Sequence, residues 1–518
     1  MITDFLKLKN TENLSADICI VGAGAAGMAM AEYFLNKNRR VLVIESGNFK
    51  FDQDIQNYYK TENTGLKFDG AFDGRFRTMG GSTTRWGGQA LPLTQLDFKK
   101  KNWINNTGWP IEKEDLDPYY KKALKFLNVD NLDFDDQIFK KLKIKPLNFN
   151  GTFNYHVSKW SPNPNLRNVY KKQFEESQNV EILLNANLLE IQLSDQRNNI
   201  SNIIIGSKTT RLRLTAQCYV LCCGGIENAR IMLHNSIAPK CPVGEYLQDH
   251  PSIEIGKLIS NSKRTVQKHF NLHYWKKWKY SLRLSFTSEF QEREGCLNAS
   301  ASIMFNPSST SLIGKFHHLK KSIIEKKPFQ FFKDSFAIIF KSYEIVLTIY
   351  YYVFFKFQYK PGADLPIKIS FEQEPFENSW VALSDKERDA LGIPLSKINW
   401  DITESTWSTT MKIAEELTKE LKRHNLGDVE LYTEIFRENP DWKKLFGDVN
   451  HHIGTTRMGD DPLKSVVDSD CKVWGLDNLH IAGSSVFPTS GHSNPTLTLI
   501  ALSYRLAEHL NKNFDSCA

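Results

Sequence analysis

One stretch constrains the fold more than any other. From Ala16 to Gly47 the sequence reads ADICIVGAGAAGMAMAEYFLNKNRRVLVIESG: an apolar run, a glycine turn, a helical pattern and a second apolar run. Ile18 to Val21 is continuously apolar, as strands buried on both faces of a parallel sheet are, and the next segment carries Ala25, Ala26, Met28, Ala29 and Tyr33 at helical spacing. The pattern predicts a βαβ unit with a right-handed crossover. Gly22, Gly24 and Gly27 form G-x-G-x-x-G between strand and helix. Gly22 allows the tight turn, Gly24 lets the backbone approach a pyrophosphate, and Gly27 lets helix and strand pack closely, while the helix N-terminus offers free N–H groups to the anion. Glu45, eighteen residues beyond Gly27, closes the second strand. A carboxylate there accepts hydrogen bonds from ribose hydroxyls and repels a 2′-phosphate, which disfavours NADP. The unit alone does not separate FAD from NAD.

Strand patterns return at Val180 to Gln192 and at Leu212 to Cys223, so distant parts of the chain are expected to complete the first sheet. Residues 1–250 read as an α/β, Rossmann-like dinucleotide-binding domain, discontinuous, with an excursion over about 51–165. Phe51 to Pro92, rich in glycine, reads as loop suited to lie against a ligand, and Pro110 to Asp130 reads as helix. Residues 251–449 are assigned to an α+β substrate-binding domain on a mainly antiparallel sheet. Residues 450–518 are expected to return to the first domain, with a strand, a Gly-Ser turn and a helix over Asn478 to Leu510.

The balance of 66 Lys and Arg against 59 Asp and Glu gives a net charge of +7, too mild a surplus to point to a class of partner. Cys19, Cys218, Cys222, Cys223, Cys241, Cys296, Cys471 and Cys517 lack the paired spacings of zinc or iron-sulfur sites, so no metal is expected. Free thiols fit a reducing compartment. Met1 to Ala16 is polar and mixed in charge, without the pattern of a secretory leader, and the protein is read as cytoplasmic.

Six strings in order carry a resemblance: GGSTTRWGG from Gly80, CCGGIENARIML from Cys222, VGEYLQDHP from Val243, FEQEPFENSWVALSDKERDALGIP from Phe371, NHHIGTTRMGDDP from Asn450, and NLHIAGSSVFPTSGHSNPTLTLIALSYRLAEHL from Asn478. Together they resemble the glucose-methanol-choline (GMC) oxidoreductases, and NPTLT with the EQ-to-LG stretch is similar to the pyranose oxidase and bacterial sugar dehydrogenase branch. The resemblance implies FAD and oxidation of an alcohol on a sugar-like or polyol substrate. It further implies that His451, in H-x-x-G-T, is the catalytic histidine and that Asn494 is the second catalytic residue. Backbone at Gly80, Gly81, Ser82, Gly483, Ser484, Pro495 and Thr496 is implied to run along the flavin, and Leu188 to contact adenine. Arg85 stands where fungal pyranose oxidases carry a histidine bonded to the flavin, so the FAD is expected to be non-covalent.

Alcohol oxidation needs a base for the hydroxyl proton and an acceptor for the carbinol hydride. Histidine suits the first near neutral pH, while an asparagine amide both donates and accepts and so orients a hydroxyl without titrating. His452 and His492, beside the two candidates, could also act as base, although register with the family argues against both. A dehydrogenase using an acceptor other than oxygen, a quinone for instance, is favoured over an oxidase. A hydroxynitrile-lyase-type flavoprotein and a non-enzymatic flavin scaffold are the other readings.

The segment from Lys315 to Lys360 is basic and aromatic, with the apolar run Ile345 to Phe355. Eleven apolar residues fall short of the roughly twenty that cross a bilayer, and Lys341 and Glu344 interrupt any extension, so the run is not read as a span. It fits peripheral contact with an anionic membrane surface, and equally a buried helix or a subunit contact. HYWKKWKY, from His273, is similar in character, and neither string carries a nucleic-acid-binding motif.

Overall fold

The structure, a computed structural model, describes residues 1–8, 13–134, 136–324, 328–436 and 441–516. Two eight-stranded sheets organise the chain. The first runs in the order Ile2–Asp4, Val180–Leu184, Val41–Glu45, Leu14–Val21, Arg211–Leu221, Ile200–Gly206, Asn187–Leu193, with Leu479–Ile481 also paired to Arg211–Leu221. Its strands from Ile2–Asp4 to Arg211–Leu221 are parallel, as is Leu479–Ile481. Ile18 pairs with Val41 and Val21 with Ile44, the register the apolar runs require. This is the Rossmann-like α/β fold.

The crossover helix, Ala25–Phe34, is apolar almost all round because it is covered on both sides. Met28, Met30 and Phe34 are fully buried between the sheet and the C-terminal helix Thr496–Ser516. Burying each such side chain stabilises the fold by about 1.5–3 kcal/mol. Helix and strand approach so closely that a Cβ on Gly27 would lie 1.9 Å from the Gly22 carbonyl oxygen. Leu479–Ile481 from the C-terminal segment adds a strand to this sheet, and Thr496–Ser516 supplies the covering helix.

The second sheet, Asp428–Leu431, Ser252–Ile259, Pro366–Phe371, Ala299–Ile303, Trp278–Phe286, Phe153–Trp160 and Gln89–Ala90, with Leu272–Trp275 paired to Trp278–Phe286, is antiparallel throughout. Glu404–Arg423 lays Ile413, Leu417 and Leu421 on its core. Gln89–Ala90 and Phe153–Trp160 come from the excursion, which therefore builds the substrate-side sheet as well as leaving the first domain. Residues 51–92 also hold more regular structure than their glycines suggest: Gln53–Gln56 and Gly70–Asp73 are helical, and Thr61–Asn63 joins Trp380–Arg388 and Pro394–Asn399 in a small third sheet. Tertiary pairing overrides the local turn signal there.

The seven cysteines among the described residues are free, and Cys517 lies outside them.

Candidate active site

A cavity of about 550 Å³ is lined by residues of both large sheets and the loops between them, Glu45, Leu188, His451 and Asn494 among them. Gly22, Gly24, Gly81, Ser82, Gly483, Ser484, Pro495 and Thr496 also line it. Gly27 and Gly80 stand one layer back. Gly27 sets the helix-to-strand approach, and the Gly80 N–H donates to the Ala23 carbonyl at 2.8 Å, fastening its loop to the turn so that Gly81 faces the cavity.

Whether these walls suit a dinucleotide can be asked of their atoms. A Cβ built on Gly24, Gly224 or Gly483 meets nothing within 4 Å, so three stretches of wall present bare backbone to the cavity. Helix Ala25–Phe34 starts there without a side-chain cap, which leaves its first N–H groups for an anion. Glu45 accepts from Ala23 N at 2.9 Å and Gly47 N at 2.8 Å. Oε1 also accepts from the Ser46 hydroxyl at 3.3 Å, and Oε2 keeps a further lone pair for a ribose hydroxyl. The site fits FAD. Arg85 is exposed, its guanidinium over Phe51 and Phe76, and it offers no nucleophile for a covalent flavin link.

Three ladder contacts place His451. Gln248 and Ile453 exchange backbone hydrogen bonds of 2.9 Å, which sets His250 opposite His451. The Gly454 amide reaches Ser484 O at 3.2 Å, and Thr456 reaches Ser485 O at 2.9 Å, tying the histidine segment to the loop that leads to Asn494. Gly454 has φ +88° and its Cβ position is 2.6 Å from Tyr246 O, so the glycine of H-x-x-G-T is a backbone requirement. Asp249 completes the clamp, accepting from the amides of His250 at 2.6 Å, His451 at 2.9 Å and Val449 at 3.2 Å. Burial and then Asp448 push this carboxyl up to about 7, against the three amides.

The side chains form a hydrogen-bonded row whose polarity follows from one end. Ser490 O lies 3.3 Å from His250 Nε2, and a carbonyl only accepts, so Nε2 carries the proton. Burial lowers the His250 pKa to about 4, so the ring is neutral and its Nδ1 is a lone pair. His451 Nδ1 lies 2.9 Å from that lone pair and therefore donates. Burial, then His250, His452 and Arg283, hold His451 well below the ordinary imidazole pKa, so it too is neutral. Its Nε2 is left as a bare lone pair facing Asn494 Nδ2 at 3.3 Å. That atom is a base.

The two rival histidines are placed differently. His452 lines the cavity behind Gly225 and edges onto Phe68, with burial lowering it to about 3. His492 lies outside the cavity lining, bonded to His156 Nδ1 at 2.9 Å. Sequence reasoning passed over His250 and Asp249, although both stand in the string VGEYLQDHP. It also missed the charged wall formed by Arg75, Arg77, Glu227, Arg230 and Asp389. There Glu227 meets Arg77 at 2.7 Å and Arg230 at 2.9 Å, and Arg230 meets Asp389 at 2.7 Å. Burial opposes the Glu227 charge, and the three arginines outweigh it.

A glycine-walled cavity on a Rossmann-like sheet, lined also by His451 and Asn494, is that of an FAD-binding oxidoreductase. Residues 375–503 match the GMC oxidoreductase family. Along its length the chain is similar to the fructose dehydrogenase large subunit of Gluconobacter japonicus, 22% identical over 96% of this chain and 98% of the relative. It is 28% identical to the 2-methyl-1,2-propanediol dehydrogenase of Mycolicibacterium austroafricanum over 30% of this chain and 26% of the other. The crystal structure of pyridoxine 4-oxidase from Mesorbium loti shares the fold, with a TM-score of 0.56 and 14% identity over 96% of this chain and 99% of that one.

Proposed function

We propose that this protein oxidises a hydroxyl-bearing carbon of a sugar-like or polyol substrate and passes the electrons to an acceptor other than oxygen, such as a quinone. The observation that carries the reading is the row Asn494, His451, His250, Ser490, which holds an unprotonated imidazole nitrogen against the cavity. Bound FAD supplies the hydride acceptor at flavin N5. His451 Nε2 takes the hydroxyl proton, and Asn494 orients that oxygen through its amide. His250 acts through His451 as a positioning residue by fixing its tautomer. The substrate class is supported by the sugar and diol dehydrogenases among the relatives. The exposed, stacked Arg85 supports FAD held without a covalent bond, and free thiols support a reducing, cytoplasmic location.

The test is an anaerobic visible spectrum before and after pools of sugars, polyols and simple alcohols. Bleaching by a sugar or polyol pool, without peroxide once air is admitted, is the expected result. Rapid peroxide formation would make the enzyme an oxidase. Flavin that no pool bleaches would favour a lyase-type role.

A further inference from the structure

The insert that packs on the edge of the second sheet presents its apolar side outward. From Asp334 to Phe355 the chain is helical but for a turn at Ser342, and only 11% of its apolar window is buried. Lys341 and Glu344 pair across that turn at 3.4 Å. Its inward side is fastened by polar and aromatic contacts. The Glu344 carboxylate accepts from Leu312 N at 2.9 Å, Thr348 donates to Tyr359 O at 3.1 Å, and the Tyr351 ring lies 4.4 Å from that of Tyr359 and 5.1 Å from the Arg264 guanidinium. Residues 344, 348 and 351 share one helical face. Phe336, Phe340, Val346, Ile349 and Phe354 along the same stretch are each more than half exposed.

We infer that this outward face is a platform by which the enzyme lies on an anionic lipid bilayer, the helix in the interface plane. A bilayer span would place the inward side, with Glu344 and Asp334, in hydrocarbon, whereas here both acids are buried against protein. An interfacial helix needs apolar residues on one side only, with basic and aromatic residues at the rim. The rim is present: Tyr343, Tyr350, Tyr352 and Lys356 are exposed on the helix, and His317, His318, Lys320 and Lys321 on its neighbour Leu312–Ile324. Charge decides between lipid and a second copy of the chain. Residues 315–356 hold eight lysines against three acids, most of the molecule's net charge of +7. A two-fold contact would bring this cationic arm against itself, while anionic headgroups neutralise it. The inference does not depend on the substrate reading.

Co-sedimentation of the FAD-loaded full-length enzyme with vesicles tests it, using phosphatidylcholine alone and phosphatidylcholine mixed with phosphatidylglycerol. The enzyme is expected to pellet with the mixed vesicles and to be released by salt. V346E/F354E, both on the exposed side, is expected to stay in solution with its flavin spectrum intact. Replacing Lys315, Lys320 and Lys321 by Gln should weaken partition by about five-fold for each lysine. Wild type that stays in solution with the mixed vesicles overturns the proposal, as does V346E/F354E that pellets undiminished. A wild-type dimer that ignores vesicles and is dispersed by V346E/F354E also overturns it, and assigns the face to a second copy.

Discussion

At His451 the ordinary imidazole pKa near 6.5 does not apply, because burial and neighbouring imidazoles and Arg283 hold it far lower. A base that stays unprotonated in weak acid gives an acid limb of kcat/KM well below pH 6.5, which a pH profile of flavin reduction will show. His451→Ala should slow reduction by roughly 10²–10⁴-fold, the usual worth of a positioned base, with FAD still bound, as read by stopped-flow bleaching. His250→Ala makes a different prediction. It removes the acceptor of the Nδ1–H bond, which by itself favours the imidazolium, but also opens the packing and takes away a group that depresses His451; the second effect is the larger, so the pKa of His451 rises and the acid limb moves to higher pH. A residue that merely filled space would leave that limb in place. Both histidines stand in the sequence, yet only one was legible as functional. The motif H-x-x-G-T marks His451, whereas His250, 201 residues away, matters because a single backbone bridge sets the two rings 2.9 Å apart.

Among elements, the βαβ unit was legible almost residue by residue, since each of its requirements is local: an apolar run, a turn that needs glycine, and a helix with small residues facing the strand. Gly27→Ala isolates the last of these. The added methyl would sit 1.9 Å from backbone that cannot yield, so the helix must lift, at a cost of about 1–3 kcal/mol. FAD is expected to bind weakly, seen as a lower flavin-to-protein absorbance ratio in purified protein. The helix expected over Pro110 to Asp130 forms as Lys113–Phe126, its capping box of Glu112 and Asp115 being equally local. The strand Phe153–Trp160 was not legible, because its partners are Gln89–Ala90 and Trp278–Phe286 and no neighbouring residue announces them.

For the molecule as a whole, the buried histidines set the response to acid. His250, His269, His273 and His492 are lowered to about 4, and His452 and His480 to about 3, each chiefly by burial. Below pH 6.5 the unfolded chain binds protons that these folded groups refuse, so stability falls as pH drops from 6.5 towards 4. Asp249, raised to about 7, acts in the opposite sense over the same window because it is protonated first in the folded state. Glu245, Glu372 and Asp448, likewise raised by burial, act with it, but six histidines outnumber these four carboxyls, and thermal unfolding followed by flavin fluorescence should show Tm decreasing through that interval.

The sequence by itself determined the first domain's cofactor turn, the motifs that carry His451 and Asn494 and the basic, apolar character of the insert, because each depends on residues close together in the chain. Only the tertiary structure decided which nitrogen of His451 is the base, which clamp holds its loop and which side of the insert faces outward. The first two depend on partners some two hundred residues away, Asp249 and His250 to His451, the third on contacts such as Leu312 to Glu344, and all on burial, which shifts a proton without changing a letter of the sequence.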